Sequence, residues 1–297
     1  MAAHHTITLH NGLVIPSLGF GTFQPSASAG EGVADTTAEQ AVFEALRAGY
    51  RLIDTAAFYQ TEGAVGRAIR RAEDELGIPR SEIFVTSKLW VTNTTYDGAL
   101  RGYDRSLEKS GLDYFDLYLI HNPMNDIFGA WRALSELYLS GKIRSIGVSN
   151  FSRARMEDFI SFTDIVPHVN QIEVNVFHQQ NDDITYMNDH NIVVEAWAPF
   201  ARGRHDLFNN TILRDIAHKY DVTVSQIIER WLIQRGIIPL PKSVNKDRIQ
   251  TNYDVWNFEL TDTDMARIKS LDEGKSQFFD WQDPAVYRRF AQLPYAD

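Results

Sequence analysis

The sequence predicts a (β/α)8 TIM barrel, and three observations lead there. Eight apolar, strand-like runs alternate with amphipathic helical runs along 297 residues. No long Pro/Ser-rich linker divides them, so residues 1–297 read as a single barrel domain. The Gly-rich turn that an open doubly wound sheet would want is incomplete. "GFGTFQ" (19–24) has its first two glycines but not the third, and no helix follows directly.

In chain order, "TITLHNGLVIP" (6–16) reads as an N-terminal β-hairpin turning at Asn11–Gly12. Strands are expected at "SLGFGT" (17–22), "RLIDTA" (51–56), "IFVTSK" (83–88) and "FDLYLIH" (115–121). Four more follow at "IRSIGVS" (143–149), "HVNQIEV" (168–174), "IVVEAWA" (192–198) and "IIPLPKS" (237–243). Between them, "AEQAVFEALRAG", "AVGRAIRRAEDEL", "DGALRGYDRSLEKSG" and "IFGAWRALSELYLSG" carry apolar residues at helical spacing, several ending in Gly. The small, polar "QPSASAGEGVADTT" (24–37) is expected to be a flexible loop. The aromatic-rich C-terminal tail (272–297) would pack under the barrel or fold over its mouth.

Composition narrows the function classes. A formal charge of −10 argues against nucleic acid or an anionic membrane as the main partner, without excluding a local basic pocket. The absence of cysteine removes disulfides, thiolate catalysis and Cys-type zinc sites, and no metal site is expected. "MAAHHTITLHNG" lacks the layout of a secretory signal, and no run reaches the ~18 apolar residues of a membrane span. A cytoplasmic protein is the expectation.

In a barrel the C-terminal strand ends share one rim, where catalysis sits. Strands two, three and four end in Asp54, Lys88 and His121. Neighbouring strands lie about 4.8 Å apart, so these side chains can converge, with Tyr59 overhanging them. Alone, Asp54 would read as a helix cap and Tyr59 as a surface aromatic; each of the others alone would read as a satisfied polar group. Together they suit proton donation to a carbonyl oxygen. A phenol with a pKa near ~10 is a reluctant donor; a neighbouring ammonium would lower it, and a buried lysine needs a partner such as Asp54. Around strand eight, Lys242, Ser243 and Arg248 offer an anion site. Ser149, Asn150 and Gln171 offer groups that suit a carboxamide, and Trp197 offers a flat face for a heteroaromatic ring.

These motifs, from "LGFGTF" through "LIDTAAFYQTE", "VTSKLW", "DLYLIH", "IRSIGVSNF" and "NQIE" to "IPLPKSV", resemble the aldo-keto reductase family over nearly the whole chain. Microbial 2,5-diketo-D-gluconate reductase-like members are the nearest likeness, partly on "GRHDLF" after strand seven. The resemblance implies reversible, NADPH-dependent reduction of aldehyde or ketone carbonyls by a catalytic tetrad of Asp54, Tyr59, Lys88 and His121. Tyr59 would be the general acid with a pKa depressed by Lys88, Asp54 would hold Lys88, and His121 would orient the carbonyl. It also implies cofactor contacts at Gly21, Thr22, Phe23, Ser149, Asn150, Gln171, Trp197, Pro199, Phe200 and Arg202. Lys242, Ser243, Val244, Asn245, Arg248 and Asn252 would complete them, with Lys242, Ser243 and Arg248 on the 2′-phosphate. The substrate pocket would use Phe23, Phe58, Trp90, Asn122 and Trp281. Asn122 stands where the family usually carries Trp, and Thr251 where an acidic residue is common. A monomer acting on a small carbonyl compound is expected. The competing readings are an NADPH-binding sensor with little turnover and a Schiff-base enzyme using Lys88.

Overall fold

Eight parallel strands form a sheet in simple sequential order, and helices cover its outside. The computed structural model describes residues 5–23 and 31–293. A hairpin of β1 (Thr6–Thr8) and β2 (Val14–Pro16) precedes the sheet. Its turn works because Gly12 adopts φ +85° and the Asn11 carboxamide oxygen accepts the Leu13 N–H. The barrel strands are β3 (Phe20–Gly21), β4 (Leu52–Asp54), β5 (Phe84–Leu89), β6 (Leu117–Ile120), β7 (Ile146–Ser149), β8 (Val169–Glu173), β9 (Val193–Trp197) and β10 (Ile238–Pro239). Each falls inside its expected run except β5, which extends one residue beyond it to Leu89.

Closure between β3 and β10 rests on two backbone bonds, Gly19 N–H to Pro239 O at 3.0 Å and Gly21 N–H to Pro241 O at 2.8 Å. A Cβ on Gly19 would lie 2.5 Å from a Leu240 methyl, so this seam needs glycine. The helices are α1 (Glu31–Ala48), α2 (Glu62–Leu76), α3 (Tyr96–Ser110), α4 (Ile127–Leu139), α5 (Arg153–Ile160) and α6 (Asn181–Asp189). After β9 come α7 (Thr211–Tyr220) and α8 (Val224–Gln234), and after β10 come α9 (Lys246–Tyr253), α10 (Asp262–Lys269) and α11 (Pro284–Gln292). Gly77 and Gly111 end α2 and α3 in the left-handed conformation.

One expectation needs correction. Residues 31–37 are not loop but the first two turns of α1. Arg67 of α2 pairs with Asp35 and with Glu39 at 2.7 Å, fixing that stretch from outside. The rest of the expected loop, 24–30, lies outside the described residues. The aromatic-rich tail carries α11, with Asp283 capping Ala285 N–H at 2.8 Å. It folds over the mouth, where Phe290 lies 5.9 Å from Trp90 and Phe278 lies 5.4 Å from Trp197. Among the described residues no helix is long and apolar enough to cross a membrane.

Candidate active site

Alternation along the strands aims every second side chain into the barrel, so Asp54, Lys88 and Gln171 meet although β4, β5 and β8 are far apart in sequence. The Lys88 ammonium is fully buried, and its three hydrogens have three targets. It lies 2.7 and 2.8 Å from the two Asp54 carboxylate oxygens, 2.9 Å from Thr55 O and 3.3 Å from the Tyr59 hydroxyl. Burial works against the ammonium, but Asp54 and Tyr59 outweigh it and leave the Lys88 pKa above the ordinary lysine value. Lys88 therefore stays charged and is a poor nucleophile.

Tyr59 departs from expectation in one respect. Its pKa is raised, not depressed: burial outweighs the nearby Lys88 charge, and Asp54 adds to the rise. The phenol is thus protonated at neutral pH, with the Lys88 ammonium beside its oxygen. Because Lys88 donates to the Tyr59 oxygen, the hydroxyl hydrogen is available to another acceptor. His121 stands edge-on to Tyr59, with ring centroids 5.5 Å apart. Burial and then Lys88 hold its pKa well below the usual histidine value, so the imidazole is neutral. Its Nδ1 is buried without a hydrogen-bond partner among the described residues, which favours the tautomer with hydrogen on Nε2.

Thr61 does not cap α2 through its side chain. Its hydroxyl instead joins Thr22 at 3.0 Å and Thr55 at 2.9 Å, bracing the loop that carries Tyr59.

The expected carboxamide contacts are strongly interlinked. Gln171 spends both amide hydrogens on Asp54 Oδ1 and Glu195 Oε2, each at 2.8 Å, leaving its carbonyl oxygen to face an N–H donor. Ser149 Oγ donates to Gln171 O at 2.8 Å. Asn150, at φ +63°, donates to His121 O and to Asn122 Oδ1, and accepts from Trp197 Nε1 at 2.8 Å. Asn122 is therefore tied to Asn150 rather than a free amide in the pocket, and it is buried.

Gly21 and Thr22 continue β3 at the rim, and Phe23 packs edge-on to Tyr59 at 5.0 Å. Phe58 stacks on Trp90 at 3.9 Å, and Trp90 stands 5.2 Å from His121. Trp281 stacks on Phe290 at 5.8 Å, and it lines a cavity of about 180 Å3 with Asn150, Glu173 and His178.

Pro199 and Phe200 lead into the turns of Ala201–Asn209, where Ala201, Arg202, His205 and Asp206 all take positive φ. The Arg202 guanidinium lies between the rings of Phe23, at 5.0 Å, and Phe278, at 5.1 Å. At the end of β10, Lys242 is partly buried, and burial lowers its pKa. Among the described residues it forms no salt bridge, an arrangement that fits an incoming anion. Ser243 accepts from Asn245 N–H at 3.1 Å, and Asn245 caps α9 by accepting from Arg248 N–H at 3.0 Å. Val244, which precedes α9, and Arg248 on it are exposed, while Asn252 on the same short helix is buried.

Two features escaped sequence reading. Glu195 is a lone acid in the apolar run "IVVEAWA", two positions before Trp197 and so on the same face; that alternation was the available signal. Phe278 and Phe290 gave no signal beyond the tail's aromatic content.

The match to known proteins is extensive. The model of the aldo/keto reductase family matches residues 17–273. An uncharacterized oxidoreductase, YtbE, of Bacillus subtilis is 44% identical over 267 residues, covering 90% of this chain and 92% of that protein. The glyoxal reductase of the same bacterium is 40% identical over 269 residues, covering 90% and 93%. The crystal structure of a Bombyx mori aldo-keto reductase in complex with NADP superposes with a TM-score of 0.89 at 35% identity, covering 97% of this chain and 98% of that one. On this sequence match and this shared barrel, the chain belongs to the aldo/keto reductase family and is an oxidoreductase.

Proposed function

We propose that this protein reduces aldehyde or ketone carbonyls to alcohols with NADPH, reversibly, and that Tyr59 is the proton donor. The observation that carries the reading is the buried Lys88 ammonium, fixed by Asp54 and Thr55 O and 3.3 Å from the Tyr59 hydroxyl. Tyr59 donates its hydrogen to the carbonyl oxygen, and Lys88 stabilises the phenolate that remains. Neutral His121 offers an N–H to the same oxygen and orients it. Phe23, Phe58 and Trp90 form apolar walls around the reacting carbonyl and exclude water.

Ser149, Asn150 and Gln171 would hold the cofactor's carboxamide, Trp197 its ring, and Lys242, Ser243 and Arg248 its 2′-phosphate. When bound, the cofactor supplies the hydride that reaches the carbonyl carbon. The NADP-bound Bombyx mori relative and the glyoxal reductase support this choice of cofactor and a small reactive carbonyl such as glyoxal as substrate.

The test is NADPH oxidation by the purified protein against a panel of aldehydes, ketones and dicarbonyls. Turnover with at least one small dicarbonyl is expected. Tight NADPH binding without turnover on any of them would make the protein a sensor instead. Arg248→Ala should weaken NADPH by about 1.5–3 kcal/mol while leaving NADH nearly unchanged, measured by fluorescence titration. Equal losses would remove the phosphate assignment.

A further inference from the structure

Beneath the four proposed catalytic residues lies a second acid. Glu195 projects from β9 into the barrel and is fully buried. Its Oε2 accepts one Gln171 amide hydrogen at 2.8 Å, and Asp54 Oδ1 accepts the other at the same distance. Its Oε1 is buried without a partner among the described residues. Two carboxyl groups thus hang on one amide, and one of them also holds Lys88.

The charges that face Glu195 are few. Asp54 comes from β4 and Lys88 from β5. From the flanking strands, β8 contributes the neutral Gln171, and β10 contributes Ile238, its register partner, and Pro239. One ammonium cannot balance two buried carboxylates, and Lys88 sits on Asp54 at 2.7 Å. The remaining proton therefore belongs on Glu195.

We propose that Glu195 is a positioning residue for the carbonyl reduction: neutral, it anchors Gln171 and through it Asp54; ionised, it offsets the Lys88 charge on which proton donation by Tyr59 depends. The inference rests on the function proposed above. Burial, and then Asp54, push the Glu195 pKa up to about 8, against the pull of Gln171 and Lys88. Reduction should therefore fall as pH rises through that value, because a second negative charge makes the Tyr59 phenolate harder to form.

The experiment compares kcat against pH, with NADPH and glyoxal, for the wild-type protein and Glu195→Gln. Glutamine keeps the acceptor for Gln171 but cannot ionise. The wild-type profile should show a falling limb near pH 8 that Glu195→Gln lacks; coincident profiles would overturn the proposal. A second readout needs no turnover. The infrared difference between wild type and Glu195→Gln should contain the carbonyl band of a protonated carboxylic acid at pH 6, lost as the pH passes 8. A carboxylate signature at pH 6 would also overturn it. Absence of wild-type turnover on every carbonyl would instead sink the functional reading, leaving the infrared titration to decide where the proton resides.

Discussion

The two ends of the barrel interior use the same strands for opposite purposes. At the floor, Leu9 and Ile15 of the hairpin pack on Leu52, Phe84, Leu117, Leu119, Val169 and Ile238. Two to four positions further along the same strands, the inward series becomes Asp54, Lys88, His121, Gln171 and Glu195. The floor is apolar, so it gains from burial alone. The rim buries charge and must satisfy each group with another: Lys88 with Asp54, Asp54 with Gln171, Gln171 with Glu195. Floor contacts are many and each is replaceable; rim contacts form a chain in which removing one member strands the next.

Breaking the rim should show this most strongly. Lys88→Met leaves the Asp54 carboxylate buried without its cation and should cost about 3–5 kcal/mol of stability as well as turnover, read by denaturant unfolding. A loss of turnover with unchanged stability would mean the pair is not structurally coupled. At the floor, Ile15→Ala should cost about 2–5 kcal/mol by opening a cavity. KM and the pH profile should not move, and a change in either would show that the two ends communicate.

A smaller effect is expected at Glu229 on α8, a buried acid that resembles neither end. Both of its oxygens lack a hydrogen-bond partner among the described residues, and burial holds its pKa well above the ordinary glutamate value. The unfolded chain ionises this group from about pH 4.3 upward while the folded chain keeps it neutral, so its presence erodes stability as pH rises. Glu229→Leu should therefore stabilise the protein by about 1–3 kcal/mol at pH 7, with a smaller gain at pH 4. Equal melting temperatures for the variant and wild type at pH 7 would contradict this.

How much was legible in the sequence divides along the same line. Strand positions follow from the apolar runs, which are local, and the convergence of Asp54, Lys88 and His121 from their place at the ends of neighbouring strands. The Tyr59 pKa did not follow, because its sign depends on how deeply the phenol is buried, a property of packing across several loops. The start of α1 was missed because "EGVADTT" has no apolar stripe; its Asp35 is held by Arg67 from another helix. The role of Thr61 did not follow either, because its hydroxyl is claimed by Thr22 and Thr55, which come from other segments. Asn122 was expected in the substrate pocket, and its tie to Asn150, 28 positions away in sequence and 2.9 Å distant, is a tertiary contact.

The central claim is that Lys88 acts through Tyr59, and Tyr59→Phe tests it directly because only the hydroxyl is removed. NADPH affinity of the variant, measured by fluorescence quenching, should stay within a few-fold of wild type, while kcat for glyoxal reduction falls by about 10²–10⁴-fold. A variant that binds NADPH normally and keeps most of its turnover would contradict the account.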